Sequence, residues 1–356
     1  MNRPAEEIGE NLSQKKIDRY WYGKPLDVPL WLRALTLVFR PLVWLRRWSY
    51  RILFFRVYRP KVPLVVVGNI SVGGTGKTPM VVWLVELFKR AGLKPGVVSR
   101  GYGGLAENWP QQARPDSDPK VIGDEAVLLA RRCLCPMAVG PNRVAAVKAL
   151  LEAHKDVDVI ISDDGLQHYA LGRDVEIVVI DGERRFGNGY CLPAGPLREP
   201  ETRLKQVDFR VVNGGDKRYV GEYAMKIKSG KFINLKNPSK KLNIEDLKSK
   251  QVHAVAGIGN PDRFFNQLKL ADISFKKHIF PDHHPFSEED LNFKDEKIIL
   301  MTEKDAVKCE RFATDRQWYL SVEAELDPKF AKALMALLEK SAARRKQKWT
   351  INYSIS

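Results

Sequence analysis

The sequence predicts an α/β chain: a largely parallel sheet flanked by helices, with a second, smaller α/β domain joined to it by a two-stranded β-ribbon. Three observations carry that prediction. Short apolar runs alternate with stretches of helical period over residues 61–220. A glycine-rich turn, Val67-Gly-Asn-Ile-Ser-Val-Gly-Gly-Thr-Gly-Lys-Thr-Pro79, separates the apolar run Leu64–Val67 from a helical stretch. After residue 220 the pattern becomes alternating and lysine-rich, and a second set of apolar runs begins at His253. With 356 residues, 44% of them hydrophobic, the chain can fill two cores. The expected organisation is an N-terminal segment 1–60, a main domain 61–220, a ribbon linker 221–250 and a C-terminal α/β domain 251–356.

The first element is a basic amphipathic helix. No Asp or Glu occurs from Val28 to Val85, whereas Arg33, Arg40, Arg46, Arg47, Arg51, Arg56, Arg59 and Lys61 precede the glycine turn. Trp31, Leu35, Val38, Leu42 and Leu45 recur at helical spacing, and Arg33, Arg40, Arg47 and Arg51 fall near another face; Leu53, Phe54 and Phe55 continue the apolar content. Arginines interrupt every window of about 18 residues, so a transmembrane span is excluded, and Pro41 is expected to interrupt the helix. Such a segment suits an anionic membrane surface. The competing reading is a helix packed on the domain with solvated arginines.

The glycine turn is a phosphate cradle. Gly73, Gly74 and Gly76 let backbone N–H groups converge on phosphate oxygens, and the helix that follows offers its positive end. Thr75 lies within the cradle, Lys77 would reach the β- and γ-phosphates, and the Thr78 hydroxyl would hold Mg²⁺. In the general pattern G-x-x-x-x-G-K-[ST] the first glycine would fall at position 71, which is Ser71. The strand before and the helix after support a P-loop NTPase-like domain despite that departure.

Further strands are expected at Gly96–Val98, Met137–Val139, Val157–Ile161, Glu176–Ile180 and Phe209–Val212, with helices at Thr78–Ala91, Asp124–Cys133 and Arg143–His154 between several of them. In such a sheet ligand chemistry collects at the carboxyl ends of the strands. The polar residues fall there. Asp163 and Asp164 follow Val157–Ile161, where a P-loop enzyme places its Mg²⁺-holding acid, and adjacent positions on a strand face opposite ways. Ser99-Arg100-Gly-Tyr102 follows the next strand. Asp124 opens a helix, where as an N-cap it would contribute about 1 kcal/mol. Arg143 ends another strand, and Leu197-Arg198-Glu199-Pro200 lies in a Pro/Gly-rich loop.

In the ribbon, Ala224–Lys228 and Lys231–Leu235 alternate around Ser229-Gly230, a hairpin signature. The last domain has apolar runs at His253–Ala256, Ile298–Met301 and Trp318–Val322. Its final helix starts at Asp327-Pro328, an N-cap with proline at N1, and ends in Arg344-Arg345-Lys346. It also carries Asp282-His283-His284, where an imidazole near a carboxylate would make a proton-transfer pair, and Thr302-Glu-Lys304-Asp305, expected to border the nucleotide.

Composition narrows the partners. The 59 basic and 43 acidic residues give a net charge of +16, so a polyanion is expected. The four cysteines have no C-x-x-C spacing and the six histidines form no zinc pattern, which fits a reduced compartment. The charged first 28 residues lack an apolar core, so no cleavable signal peptide is read.

In combination these segments resemble the tetraacyldisaccharide 4′-kinases of lipid A biosynthesis, from about Pro29 to Cys309. Carrying the resemblance are the loop Gly-Asn-Ile-Ser-Val-Gly-Gly-Thr-Gly-Lys-Thr-Pro, Ser-Arg-Gly-Tyr-Gly-Gly, Gly-Asp-Glu, Asp-Asp-Gly-Leu-Gln-His, Leu-Pro-Ala-Gly-Pro-Leu-Arg-Glu-Pro, Asp-His-His and Thr-Glu-Lys-Asp-Ala-Val-Lys. Ser71 belongs to that family's version of the loop; Ala126 replaces a proline the family often has after Gly-Asp-Glu. The resemblance implies ATP and Mg²⁺, with Thr78 and Asp163 at the metal and Asp163 and Asp164 as the acidic pair. It implies Asp124 as the residue that draws the proton from the sugar hydroxyl and His283 as its helper, with His284 the alternative. Arg100, Tyr102, Arg143, His168, Arg198 and Glu199 match further active-site positions, the arginines offsetting charge on the transferred phosphoryl group.

The implied substrate is a membrane-embedded acylated glucosamine disaccharide 1-phosphate, met at the cytoplasmic face of the bacterial inner membrane by a peripheral enzyme. Neither nucleic acid nor a protein partner is expected. Closure about the ribbon is expected to bring His283 to Asp124. The other functional class is a membrane-associated P-loop ATPase. Dimerising switches of that kind carry a lysine where this chain has Val72, and Thr302-Glu-Lys-Asp305 has the wrong order for guanine recognition.

Overall fold

The computed structural model describes residues 17–23, 27–52, 55–215, 219–248 and 250–345, the side chain of Arg51 excepted. Leu53, Phe54, most of the charged N-terminus and Lys346 lie outside the described residues. In chain order the elements begin with α1 (Leu30–Arg51), β1 (Leu64–Gly68), α2 (Lys77–Arg90), β2 (Pro95–Ser99), β3 (Gln111–Gln112), α3 (Pro119–Ile122), α4 (Asp124–Cys133), β4 (Met137–Val139) and α5 (Arg143–Ala153). They continue with β5 (Val159–Asp163), β6 (Val175–Asp181), β7 (Phe209–Asn213), β8 (Glu222–Asn234), β9 (Lys241–Leu242), β10 (Gln251–Ala256), α6 (Pro261–Leu270) and β11 (Ser274–Ile279). The last are β12 (Ile299–Thr302), α7 (Glu303–Cys309), β13 (Gln317–Leu326) and α8 (Pro328–Arg344). The fold is a mixed, largely parallel sheet flanked by helices. Contacts divide the chain into two compact units. The first comprises Met1–Lys77, Val159–Met225 and Leu326–Thr350; the second comprises Thr78–Asp158, Lys226–Glu325 and Ile351–Ser356.

In the first unit β1 lies between β5 and β6, and β6 pairs with β7, all in parallel. Every residue of β1, β5 and β6 is buried, which is why these strands read as continuous apolar runs rather than alternating ones. Parallel pairing puts their carboxyl ends on one edge, where Gly68, Asp163, Asp181 and Asn213 end their strands. From α8, Phe330 packs edge-on to Phe209 and Tyr223, with ring centroids 5.2 and 5.4 Å away. Arg345 donates to both oxygens of Asp174, at 2.6 and 2.7 Å, so the described part of the basic terminus is docked. Asp327 caps α8 as the sequence predicts, accepting from Lys329 N at 2.9 Å.

Helix α1 runs unbroken for 22 residues through Pro41, contrary to the expected interruption. Proline removes one donor, whose acceptor would be the carbonyl of Leu37, and Leu37 is 69% exposed, so water can serve that carbonyl. The helix is pinned at Thr36, whose hydroxyl donates to the Cys191 carbonyl at 3.0 Å and accepts from Ala194 N at 3.2 Å. The apolar stripe read from the sequence does not face the protein. Trp31, Leu35, Val38, Leu42 and Leu45 are between 49% and 64% exposed, whereas Thr36 is 3% exposed. Two of the arginines expected to be solvated turn inward instead: Arg33 lies over the ring of Tyr190 and Arg47 over that of Tyr169, at 5.8 and 6.0 Å.

In the second unit β2 pairs with β4 in parallel and β3 with β4 antiparallel. A second ladder, β11-β10-β12-β13, is wholly parallel. Alternate residues of β10 feed two cores, Ala254 and Ala256 packing with Phe265, Leu268 and Leu300, and Val255 with Phe286 and Met301. No hairpin turn forms at Ser229-Gly230. β8 passes straight through, and β9 pairs with it antiparallel, with Phe232 opposite Leu242. Gly230 serves close approach rather than turning, because a Cβ there would lie 2.4 Å from the Ser321 hydroxyl oxygen.

Candidate active site

The phosphate loop belongs to the first unit, between β1 and Lys77. Gly73 and Gly76 have φ of +104° and +96°, and Gly74 has open space where a Cβ would stand. At Gly76 a Cβ would come within 2.4 Å of Asn213 Nδ2. That amide donates to the carbonyl of the buried Thr75 at 3.0 Å, so the end of β7 braces the turn. Beside the loop, residues 196–198 run antiparallel to it: Val72 N donates to Pro196 O at 2.8 Å and Arg198 N to Ile70 O at 2.7 Å. Ser71, the departure from the general loop pattern, is bridged to Leu197 in this pairing.

The pairing brings the charged groups together. Lys77 Nζ lies 3.5 Å from Asp164 Oδ1, and Arg198 reaches the other oxygen of the same carboxylate at 3.2 Å. Asp163 ends β5 with 4% exposure, and the chain then turns through a left-handed residue, Asp164 at φ +46°. The two neighbours therefore differ, one buried and one facing two cations. Thr78 follows Lys77 in the first turn of α2. His168 closes the turn after them, its N–H donating to Gly165 O at 3.0 Å.

Glu199 is 1% exposed. It accepts from Gln167 Nε2 at 2.8 Å and from the Tyr169 hydroxyl, and it pairs with Arg203 at 3.5 Å. Gln167 also donates to Asn69 O at 3.0 Å, so this buried network holds the start of the loop. Tyr169 and Arg203 had no local sequence signal, since they meet Glu199 only through the fold.

In the second unit Asp124 is the first helical residue of α4, and Gly123, not Asp124, is its cap. Gly123 has φ +91°, and a Cβ on it would lie 2.3 Å from Tyr102 O, a contact that keeps the 101–104 turn against the start of α4. Asp124 Oδ1 accepts from Glu125 N at 2.9 Å, and its Oδ2 lies 3.3 Å from His283 Nδ1. The ring of Tyr102 stands 5.1 Å from that of His283, with Arg100 5.9 Å over Tyr102. His284 turns to Asp290 at 3.0 Å. The carboxylate and imidazole are thus joined within one compact unit, and no closure about the ribbon is needed to unite them. Arg143, 2% exposed, opens α5 and donates to Gly140 O at 2.8 Å.

The two groups shift each other's protonation. Burial alone would raise the Asp124 carboxyl, but the close approach of His283 and the charge of Lys304 hold it below the usual range. The same approach of Asp124 raises the His283 imidazole against burial and Lys304. Sequence reading placed Lys304 only at the border of the nucleotide, with no link to the imidazole: its Nζ lies 3.3 Å from His283 Nε2 and 3.0 Å from Glu125 Oε1. A cavity of about 940 Å³ opens beside the pair, bordered by Tyr102, Asp124, Leu128, His283, Phe286 and Tyr319. Among the described residues no three His, Cys, Asp or Glu side chains cluster as a metal cage.

Comparison with known proteins adds relatives across the chain. A family model described as tetraacyldisaccharide-1-P 4′-kinase matches residues 28–339. A tetraacyldisaccharide 4′-kinase of Nitrosococcus oceani is 50% identical over 327 residues, 92% of this chain and 95% of that one. Another, of Methylobacillus flagellatus, is 46% identical over 93% of this chain and 98% of its own. A crystal structure of LpxK from Aquifex aeolicus in complex with ATP superposes with a TM-score of 0.71 at 26% identity, covering 86% of this chain and 98% of the other.

Proposed function

The chain belongs to the tetraacyldisaccharide-1-P 4′-kinase family, ATP-dependent kinases of lipid A biosynthesis, and we propose that it transfers the γ-phosphoryl group of ATP to the 4′-hydroxyl of a membrane-embedded tetraacyldisaccharide 1-phosphate. The observation that carries the reading is the Asp124–His283 contact at 3.3 Å, a carboxylate and imidazole suited to receiving a hydroxyl proton. A bare ATPase switch has no use for it, and that alternative is not favoured.

In this reading the backbone N–H groups of Gly73, Gly74, Thr75 and Gly76 cradle the phosphates and Lys77 binds their charge. Lys77 and Arg198 sit on Asp164 at 3.5 and 3.2 Å, so both cations are held in place for a phosphate, and their charge offsets that developing on the transferred group. The residues present fit Mg²⁺. Asp163 offers a buried carboxylate and Thr78 a hydroxyl, both hard oxygens, and Mg²⁺ takes few protein ligands beside water and phosphate oxygens. When bound, the ion would neutralise phosphate charge. Asp124 orients the acceptor hydroxyl and takes its proton, with His283 Nδ1 against its other side. Arg100, Tyr102, Arg143 and His168 are assigned to substrate and phosphate positioning, and the buried Glu199 to bracing the loop.

The outward apolar face of α1 supports peripheral docking at the cytoplasmic face of the inner membrane. Its tryptophans and leucines would enter the headgroup boundary while Arg40 and Arg46, both exposed, meet anionic lipid. No helix among the described residues is long and apolar enough to cross a membrane. The decisive experiment is incubation of the wild type and Asp124→Ala with ATP, Mg²⁺ and tetraacyldisaccharide 1-phosphate in mixed micelles. A bisphosphorylated lipid from the wild type alone is expected; none from either overturns the reading.

A further inference from the structure

The stretch Thr302-Glu303-Lys304-Asp305 has no part in the transfer described so far, yet each of its side chains is committed. Asp305 N donates to the Thr302 hydroxyl at 3.2 Å, capping α7, and that hydroxyl donates to Asp305 Oδ2 at 2.6 Å. The fully buried Asp305 also accepts from Gly257 N at 2.9 Å and pairs with Lys308 at 2.8 Å. Glu303 accepts two bonds from Arg132, at 2.9 and 2.8 Å. Arg132 lies in the last turn of α4, the helix whose first residue is Asp124. These contacts fix α7 at its amino end and tie it sideways to α4, which leaves Lys304 aimed at the imidazole.

A lysine ammonium has donors and no acceptor. At 3.3 Å from Lys304 Nζ, His283 Nε2 must therefore accept. The one ring proton of the neutral imidazole is then on Nδ1, the nitrogen 3.3 Å from Asp124 Oδ2. We propose that Lys304 is a positioning residue that donates to Nε2 of His283 and fixes the imidazole in the neutral tautomer whose Nδ1–H meets Asp124. The proposal rests on the reading of Asp124 as the group that receives the hydroxyl proton.

The surroundings show why such a cation is needed. Asp124 from α4 and Asp282 from the adjoining loop bring negative charge toward His283, which favours imidazolium, and Glu125 pairs with Lys304. Lys304 from α7 opposes it, while Tyr102, with Arg100 over its ring, covers one side. An imidazolium would hold the Asp124 carboxylate as an ion pair and weaken it as a base. Lys304 stays charged because Glu125, Asp124 and Asp282 outweigh the effect of its burial.

The test is made on the full chain labelled with ¹⁵N-histidine, with the His283 ring signals assigned through His283→Gln. In the wild type the Nδ1–H tautomer is expected above the titration midpoint. In Lys304→Met the midpoint moves to higher pH and the Nε2–H tautomer gains population. The kcat of Lys304→Met falls about tenfold near neutral pH, the deficit shrinks as pH rises, and KM for ATP stays within about twofold. Lys304→Arg, which keeps a donor at Nε2, recovers most of both signals. A wild-type Nε2–H tautomer, or a midpoint in Lys304→Met equal to that of the wild type, overturns the proposal. The tautomer is read without substrate, so a methionine variant that fails to fold leaves the wild-type measurement decisive. Absence of lipid product from the wild type would count against the kinase reading instead.

Discussion

Replacing Gly76 by alanine tests the phosphate loop at its most constrained residue. Two costs can be worked from the structure. At φ +96° an L-residue is strained by about 1–2 kcal/mol. The new Cβ would also meet Asn213 Nδ2 at 2.4 Å and Met225 Cε at 3.1 Å. Asn213 is 1% exposed and cannot move into solvent, so its hydrogen bond to Thr75 O breaks, at a cost of about 1–3 kcal/mol. The sum, about 2–5 kcal/mol, is a large part of the stability of an ordinary domain. Urea unfolding of the wild type, Gly76→Ala, Asn213→Ala and the double variant separates the two costs. With Asn213 shortened, only the strain of about 1–2 kcal/mol should remain, giving a coupling of about 1–3 kcal/mol. ATP affinity, measured by calorimetry, should fall at least tenfold in Gly76→Ala because the backbone donors next to Lys77 rotate. A cost below about 0.5 kcal/mol, or strictly additive costs, would refute the reasoning.

Other expectations follow from the same geometry. Arg198→Met should lower kcat by about 10²–10³ with little change in stability, since Arg198 offsets transition-state charge; an unchanged kcat would leave it only a partner of Asp164. Glu199→Ala should destabilise by about 1–3 kcal/mol in thermal melts, because the half-buried Gln167 amide and Tyr169 hydroxyl lose their acceptor while Arg203 keeps Glu176; a near-zero effect would mean that the network does not brace the loop. Serine at Trp31, Leu35 and Val38 together should cut flotation with anionic vesicles at least tenfold, each side chain contributing about 1.5–3 kcal/mol when buried, and should leave the melting temperature unchanged. A lower melting temperature would show that this face packs on protein. For the Asp124–His283 pair, the raised imidazole contributes stability that is complete at low pH and lost as pH rises through its folded pKa. The lowered carboxyl contributes stability present at higher pH and lost as pH falls through its own folded pKa. The difference in melting temperature between the wild type and Asp124→Asn should therefore peak roughly between pH 4 and 6.5 and decline on both sides; a flat difference would contradict the ion pair.

The order of strands and helices was readable because buried parallel strands need unbroken apolar runs and helices need their own period. The ends of β4 and α4 fall where the sequence puts them. Short edge strands were not readable: β11, Ser274–Ile279, is largely exposed and carries two lysines, so it has no apolar signature. Ser229-Gly230 misled because a glycine needed for close approach looks in sequence like one needed for a turn. Pro41 misled likewise, because whether a helix survives proline depends on what pins it, here Thr36.

What the sequence by itself determined is the set of residues whose chemistry is local: the glycine cradle with Lys77, the acids after β5, the helix opened by Asp124, and a helix near the amino terminus with one apolar stripe. Only the tertiary structure decided which way that stripe faces, that His283 rather than His284 meets Asp124, that Glu199 is buried, and that Lys304 completes the imidazole's surroundings. Period and spacing say which residues share a face, because backbone geometry is local. Which face is covered, and which distant side chains stand within 3.5 Å of one another, depends on how elements far apart in the chain pack, and no short stretch of sequence encodes that.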